Sequence, residues 1–587
     1  MTSAVDDYTF LKNFHHSVPS DKILETNWMY QNDISNSYDG GKISFDLSQF
    51  ANNGTTNWQD WNRSLLVIPL VITLNCSDTA VGLAGRSDLA LALKTSFVNM
   101  INNVVLTING KAMINSNNFT NIPAYFNQLV SASQDDLKNK SYLGLNDIDN
   151  SMSCDYITAA TGTANLIKSF NGNGILNNTS LTPALESAYS ASPTENKGDM
   201  NNTGFYNRTR HFKPLTQFAT PLNTEANLKA ELRDYTYCVA AANADAVAAT
   251  VKDSYQVYYT TAVIKLSDIC GNYFSNLGLI KGAHYVRLTL DVNCQGSFVV
   301  NRTTTAGAGA NNNTYAGSST FNYTNPIQLN PTAVNITAGT ACSYCVSIGI
   351  TKPPSSLVSG YTGKSHAVIG LSHPMSQCRI YVPSVKLSLD AETALVSKGI
   401  TKKVLYNDYF ETSTIVSANN PLSMVVNNSV KNAVGLLVVP FISRAVNGKI
   451  AGAGTAFSVL NSPFYPAAPC PLSLTQLQVQ FGGQNIFQQG PLNYTWEMFV
   501  EQIAGLKSTN GGQDYGLSSC LLSKADWENM YRYYYINLSS SASESSASLN
   551  LSLFNNNNVD VELQIFIISN KSALVNIING QIEGTSF

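Results

Sequence analysis

A chain of 587 residues exceeds the roughly 250–300 residues at which one hydrophobic core stops growing, so at least two cores are expected. Hydrophobic residues at 44% exclude a wholly disordered chain, and charged residues at 12%, against about 25% in ordinary soluble proteins, leave little to keep a bare surface in solution. A net charge of −3 without a dense Lys/Arg block argues against a dedicated or sequence-specific nucleic-acid binder, whose affinity rests on neutralising phosphates. The low charge fits a surface covered in an assembly, and equally a surface on which Asn, Ser and Thr replace charges.

The chain opens on MTSAVDDYTFLKNFHHSVPSDK, which has early acidic residues and no apolar signal core. We expect residues 1–26 to form an arm and the protein to be made in the cytosol without a secretion signal. Strands are expected where short runs of Val, Ile, Tyr and Thr stand between Asn/Gly/Ser/Pro loops, at 43–47, 65–74, 104–108, 255–266, 285–292, 345–350, 380–389, 434–442, 474–481, 531–538, 549–554 and 559–568. Many alternate: in Val559-Asp560-Val561-Glu562-Leu563-Gln564-Ile565 every second residue is apolar, as a strand with one wet face requires. Short helices are expected at 123–130, 495–503 and 524–530. The longest apolar run, 65–74, is interrupted by Pro69 and falls short of the roughly 18 residues that span a bilayer, so no transmembrane segment is expected.

An internal repeat sets the architecture. Leu65-Leu66-Val67-Ile68-Pro69 recurs as Leu436-Leu437-Val438-Val439-Pro440, an offset of 371. Val104 to Gly110 parallels Leu477 to Gly483 at 373, and a short helix follows at that offset, with Phe126 matching Phe499. Later, Leu266-Ser267-Asp268 matches Leu522-Ser523-Lys524 at 256, which places an insertion near 137–253, and Tyr285-Val286-Arg287-Leu288 is matched to Tyr531–Tyr535. A second loop-like insertion, rich in Gly, Asn, Thr and Ala, lies at 306–340. The continuous runs LLVIP and LLVVP point to strands buried on both faces, for example where two barrels abut, each ladder ending at its proline. About eight strands with a short helix after the fourth fit a jelly roll. The expected fold is therefore all-β: a first jelly-roll β-barrel at 27–390 with the long insertions, a helical linker at 391–401, and a second at 402–587.

Motifs that carry chemistry are scarce. Of ten cysteines only Cys342 and Cys345 form C-x-x-C, and without a second pair they do not complete a zinc site; their alternating run reads as a strand, which suits structural thiols. There is no H-E-x-x-H, P-loop or G-x-S-x-G. His15-His16 reads as a polar pair, Asp135-Asp136 as a loop or helix start, and Gly82 to Gly85 and Ala306 to Gly309 lack the strand-to-helix setting of a phosphate loop. Tyr531–Tyr535, Trp496, Phe499 and Trp527 read as barrel packing rather than a ligand platform. No catalytic, cofactor or metal residues are assigned, no cofactor is expected, and the chain reads as a non-enzyme.

The order of features resembles the double jelly-roll major capsid proteins of polinton-like viruses, virophages and related double-stranded DNA viruses, over nearly the whole chain. The resemblance rests on Ile43-Ser44-Phe45-Asp46, Trp61, Leu65 to Pro69, Leu93 to Asn99 and Tyr125 to Leu129 in the first half. In the second it rests on Leu437 to Phe441, Leu474 to Gly483, Asn493 to Phe499 and Leu522 to Trp527. It implies a structural subunit that forms a homotrimer of pseudo-hexagonal outline. Such trimers tile an icosahedral virion shell beside neighbouring capsomers and penton, minor or cement proteins, with the insertions as outer decorations and the arm as an inner tie. The other readings are a tandem jelly-roll carbohydrate-binding or glycosidase protein, which would offer paired carboxylates in a cleft, and a receptor-binding spike.

Overall fold

The computed structural model describes residues 22–38, 40–53, 57–78, 89–93, 96–115, 119–133, 135–136, 156–157, 166–167, 231–233, 236–242, 252–293, 296–304, 313–317, 327–331, 341–354, 372–442, 472–487, 493–509, 520–529, 531–538, 546–557 and 560–586. The strands that build the first half are β1 (Ile23–Asn32), β2 (Lys42–Asp46), β3 (Leu65–Asp78), β4 (Ile101–Ile108), β5 (Lys111–Ile114), β6 (Lys252–Lys265), β7 (Val286–Val292), β8 (Ala341–Ile350) and β9 (Arg379–Leu387). The second half is built from β10 (Thr401–Val416), β11 (Pro421–Val430), β12 (Ala433–Ile442), β13 (Leu474–Phe481), β14 (Gln484–Asn485), β15 (Tyr534–Asn537), β16 (Ala547–Asn555), β17 (Val561–Asn576) and β18 (Ile582–Ser586).

Strand order identifies the fold. In the second half one sheet runs β10-β17-β12-β15 and the other β11-β16-β13-β14. The first half repeats this with β1-β9-β3-β6 and β2-β7-β4-β5. Among the eight strands of each pair of sheets, the first lies beside the last (β1 with β9, β10 with β17) and the second beside the next to last (β2 with β7, β11 with β16), which is the jelly-roll connection. The chain is two tandem jelly rolls. Alternation drives each sheet to face the other: on β7, Val286, Leu288, Leu290 and Val292 are buried while Arg287 and Thr289 are exposed. Each such buried aliphatic side chain contributes about 1.5–3 kcal/mol.

The turn joining β4 to β5 recurs between β13 and β14. Asn109 and Gly110 have φ of 49° and 77°, and Gly482 and Gly483 have 60° and 81°. Two successive positive φ values match the right-handed twist of a two-residue hairpin. The offset of 373 holds here residue for residue, because Val104, Leu106 and Ile108 are buried as Leu477, Val479 and Phe481 are.

The other two matches of the repeat are corrected. Leu66 and Ile68 face the interior of the first roll. In the second roll Tyr534, opposite Val438, sends its hydroxyl to Leu472 O and Leu474 N on the far sheet, whereas Tyr535, opposite Leu437, points the other way onto Phe126. Leu436 and Val438 are thus the inward pair, and aligning Leu66 with Leu437 slips the register by one, which exchanges the faces. The helices are displaced too. Leu266–Ile269 follows strand β6, while Lys524–Asn529 precedes its counterpart β15. Ile264, opposite Leu66, faces inward as Tyr534 does opposite Val438, and Tyr285–Leu288 belongs with the next strand.

Neither proline ends its ladder. β3 runs on to Asp78, opposite β6 throughout. Its partner on the other edge changes from β9 at Leu65–Val67 to β8 from Leu70, so Pro69 falls in the gap where a missing N–H leaves no bond unmade. Pairing of β12 with β15 likewise stops at Val438, before Pro440. Past Pro69 the sheet widens through strands at Glu231–Arg233, Thr236–Ala242, Gly296–Thr304 and Asn313–Gly317, all in or beside the two insertions. Two further differences are the strand pairing of Ile23 to Thr26, expected within the arm, with Val385 to Leu387, and strands β10 and β11, which no expected strand covers.

Candidate assembly surfaces

Two surfaces stand out: the seam between the rolls and a partly open face of the first. The helices concerned are α1 (Asn121–Ser131), α2 (Leu266–Ile269), α3 (Tyr273–Leu277), α4 (Leu389–Ser397), α5 (Trp496–Thr509) and α6 (Lys524–Asn529). α1 belongs to the first half, yet Ile122, Tyr125, Phe126, Leu129 and Val130 lie in one apolar cluster with Leu437, Phe566 and Tyr535 of the second. Phe126 meets Tyr533 at 5.1 Å, Tyr535 at 5.6 Å and its repeat counterpart Phe499 at 6.5 Å. That helix caps the outward face of the second roll, so LLVVP is buried on both sides as its continuous apolar run requires.

Reciprocally, the ends of β10 and β17 with β18 carry Val404, Tyr406, Ala573, Val575 and Ile582 into the cluster of the first roll. Here the two halves approach backbone to backbone. A Cβ on Gly271 would stand 1.9 Å from Asn407 O, one on Gly282 2.4 Å from Ile578 O, and one on Gly580 2.7 Å from the backbone of Ala283 and His284. All three have positive φ, so glycine serves both the approach and the turn. The closeness permits direct bonds: Lys281 N donates to Ile577 O (2.8 Å), Ala283 N to Asn579 O (3.0 Å), Asn407 N to Gly271 O (2.8 Å) and Asn109 Nδ2 to Gly580 O (2.8 Å). α4, capped by Ser388, seats Ala391 and Leu395 in a third cluster with Trp58 and Ile577, one residue from each roll.

His284 sits in this seam, fully buried among Trp61 and Tyr273, with Nδ1 2.8 Å from Gly580 O. A carbonyl only accepts, so Nδ1 carries the proton of a neutral ring. Burial pushes the imidazole down to about 4, against a smaller upward pull from that carbonyl. On the outer face of the second roll, burial and then the neighbouring Glu562 raise Glu411 to about 6.

The corresponding face of the first roll is covered along β3 and β6, where Val67 and Val263 are buried, and open along β1. Trp28 is 47% and Tyr30 51% exposed on β1. Arg63 lies 5.3 Å over the Trp28 ring, Arg379 4.6 Å over Tyr30, and Tyr381 packs 5.6 Å from Tyr30.

Residues singled out in the sequence sort cleanly. Tyr531 and Tyr533 to Tyr535 are fully buried, and Trp527 packs on Tyr494, Trp496, Phe499 and Tyr534. Asp136 accepts bonds from Ser133 N and Oγ at a helix start, and Cys342 and Cys345 share strand β8. His15-His16, Gly82 to Gly85 and Ala306 to Gly309 lie outside the described residues. No group of three metal-ligating side chains occurs, and no helix is long and apolar enough to cross a membrane, among the described residues. The seam glycines were missed, because each is required by a backbone neighbour far away in sequence and none stands in a distinctive local motif.

No family model and no curated protein sequence matches the chain. Among solved structures, it is similar to a chain of the Sputnik virophage cryo-EM structure at 10% identity, covering 98% of this chain and 91% of that one with a TM-score of 0.49. Against the mavirus major capsid protein the values are 12%, 98%, 93% and 0.42, and against the Faustovirus major capsid protein 10%, 95%, 91% and 0.40.

Proposed function

We propose that this chain is a major capsid protein: a structural subunit, not an enzyme, that trimerises into pseudo-hexagonal capsomers tiling an icosahedral double-stranded DNA virion shell. One observation carries the reading. Two jelly rolls of the same strand order are locked into one unit by a seam of apolar packing and main-chain bonds, so a chain presents two like blocks at a fixed angle. Three such chains supply six like blocks, which suits a six-sided tile. Sequence order from Ile43 to Trp527 resembles the same proteins, and the low charge suits surfaces desolvated between subunits. Within the reading, neighbouring capsomers and penton or cement proteins are the partners, residues 27–390 and 402–587 the two blocks and residues 391–401 the link.

The test is the mass of the purified full chain by light scattering across a concentration series. Particles of three times the 63.4 kDa chain mass, or closed shells, are expected. A monomer at all concentrations would remove the proposal.

A further inference from the structure

Between the two rolls, helix α1 closes the outward face of the second roll's β10-β17-β12-β15 sheet, and this burial reaches Tyr409, Phe566 and Leu437. The first roll has the same face on its β1-β9-β3-β6 sheet, and its β1 edge is left half exposed at Trp28 and Tyr30. Its outward residues on β1 and β9 are Trp28, Tyr30, Tyr381 and Arg379, with Arg63 beside them. The second roll has the same helix: α5 stands at the offset of 373 from α1. Tyr125, Gln128 and Leu129 of α1 are buried, whereas their counterparts Met498 and Gln502 are half-buried and Glu501 is exposed. One chain therefore holds a helix seated on the sheet of the next roll, a matching sheet face partly open among the described residues, and a matching helix, α5, that packs on its own roll through Phe499 and Ile503 while Glu501 stays exposed.

We propose that the Trp28–Tyr30–Arg63–Arg379 face of the first roll is the docking surface for α5 of a second copy of this chain, repeating between chains the packing that α1 makes within one. This rests on the assembly reading above. Composition supports it, since Trp, Tyr and Arg are the side chains that dominate interface energies and large exposed aromatics are otherwise scarce on a folded surface. Charge supports it as well. Arg63 and Arg379 have no carboxylate within 4 Å among the described residues, and exposed Glu501 on α5 has no cation within that distance among them. The contact is head to tail, because helix and face are different patches, and such contacts close into rings when the rotation allows.

The experiment uses the full chain, with light scattering for mass and circular dichroism for folding. Trp28→Ala with Tyr30→Ala should raise the concentration at which the oligomer dissociates at least tenfold, with the spectrum unchanged. Glu501→Arg and Arg379→Glu should each do the same. Mixing these last two variants should restore a one-to-one pair, since each keeps the side that the other has lost. If the wild type assembles and all these variants assemble as it does, the docking surface is wrong while the assembly reading stands. If the wild type never assembles, the assembly reading falls and takes this surface with it. Should the double alanine variant misfold, Glu501→Arg decides alone, because its side chain is exposed and its loss leaves packing untouched.

Discussion

Gly282 shows how a single hydrogen atom can hold two rolls together. With φ of 95° and the Ile578 carbonyl 2.4 Å from any added Cβ, it admits no side chain without moving backbone. Gly282→Ala should destabilise the protein by about 2 kcal/mol or more, since left-handed strain alone costs roughly 1–3 kcal/mol; a melting temperature unchanged from wild type would contradict the assigned approach. His284 gives the seam a pH dependence. Its folded value of about 4 lies below the ordinary 6.5, so the stability it contributes is complete above pH 6.5 and is lost as pH falls toward 4. The span corresponds to about 3 kcal/mol at about 1.4 kcal/mol for each tenfold step. Glu411 acts in the opposite sense. Raised from 4.5 to about 6, it contributes most below pH 4.5 and loses its contribution as pH rises through 6, but its partial exposure holds this below about 1 kcal/mol. The net expectation is falling stability from pH 6.5 to 4.5, flattened in His284→Phe, as denaturant midpoints at each pH would show. A wild-type curve that rises on acidification would reverse the assignment.

At the scale of elements, α1 is the wedge between the rolls. Phe126 is fully buried and packs against Phe499, Tyr533 and Tyr535 of the second half. Phe126→Ala should cost about 3–5 kcal/mol and separate the unfolding of the rolls into two steps, seen by calorimetry; one unchanged cooperative transition would show that α1 does not couple them. This helix and the hairpin after β4 were legible in the sequence, because Asn109-Gly110 and Gly482-Gly483 are residue types that tolerate positive φ and the flanking strands alternate cleanly. The register of LLVIP against LLVVP was not legible. Both runs are buried on both faces, so hydrophobicity holds no parity to align, and only the strand pairing shows which residues look inward. Strands β10 and β11 were hidden for a related reason: Thr, Asn, Asp and Ser along them meet solvent or the other roll instead of one core. The seam depends on contacts between Gly282 and residues near 578, and no local pattern reports such distant neighbours.

Across the whole molecule, the second roll shows what a roll needs. It completes the eight-strand order without a long segment between α5 and α6, whereas the first carries residues 137–251 between α1 and β6. Replacing 137–251 with a short linker should leave the β-rich circular dichroism and the cooperative melt in place, because the described strand there that pairs with β6, Thr236–Ala242, adds to its free edge outside the eight-strand order. Loss of folded protein would mean that the insertion belongs to the core. The two-roll unit also sets the central expectation. Electron microscopy of the purified oligomer, averaged by class, measures it directly: the account predicts a three-chain ring with six barrel densities and a hexagonal outline, and a population of isolated two-barrel particles would contradict it.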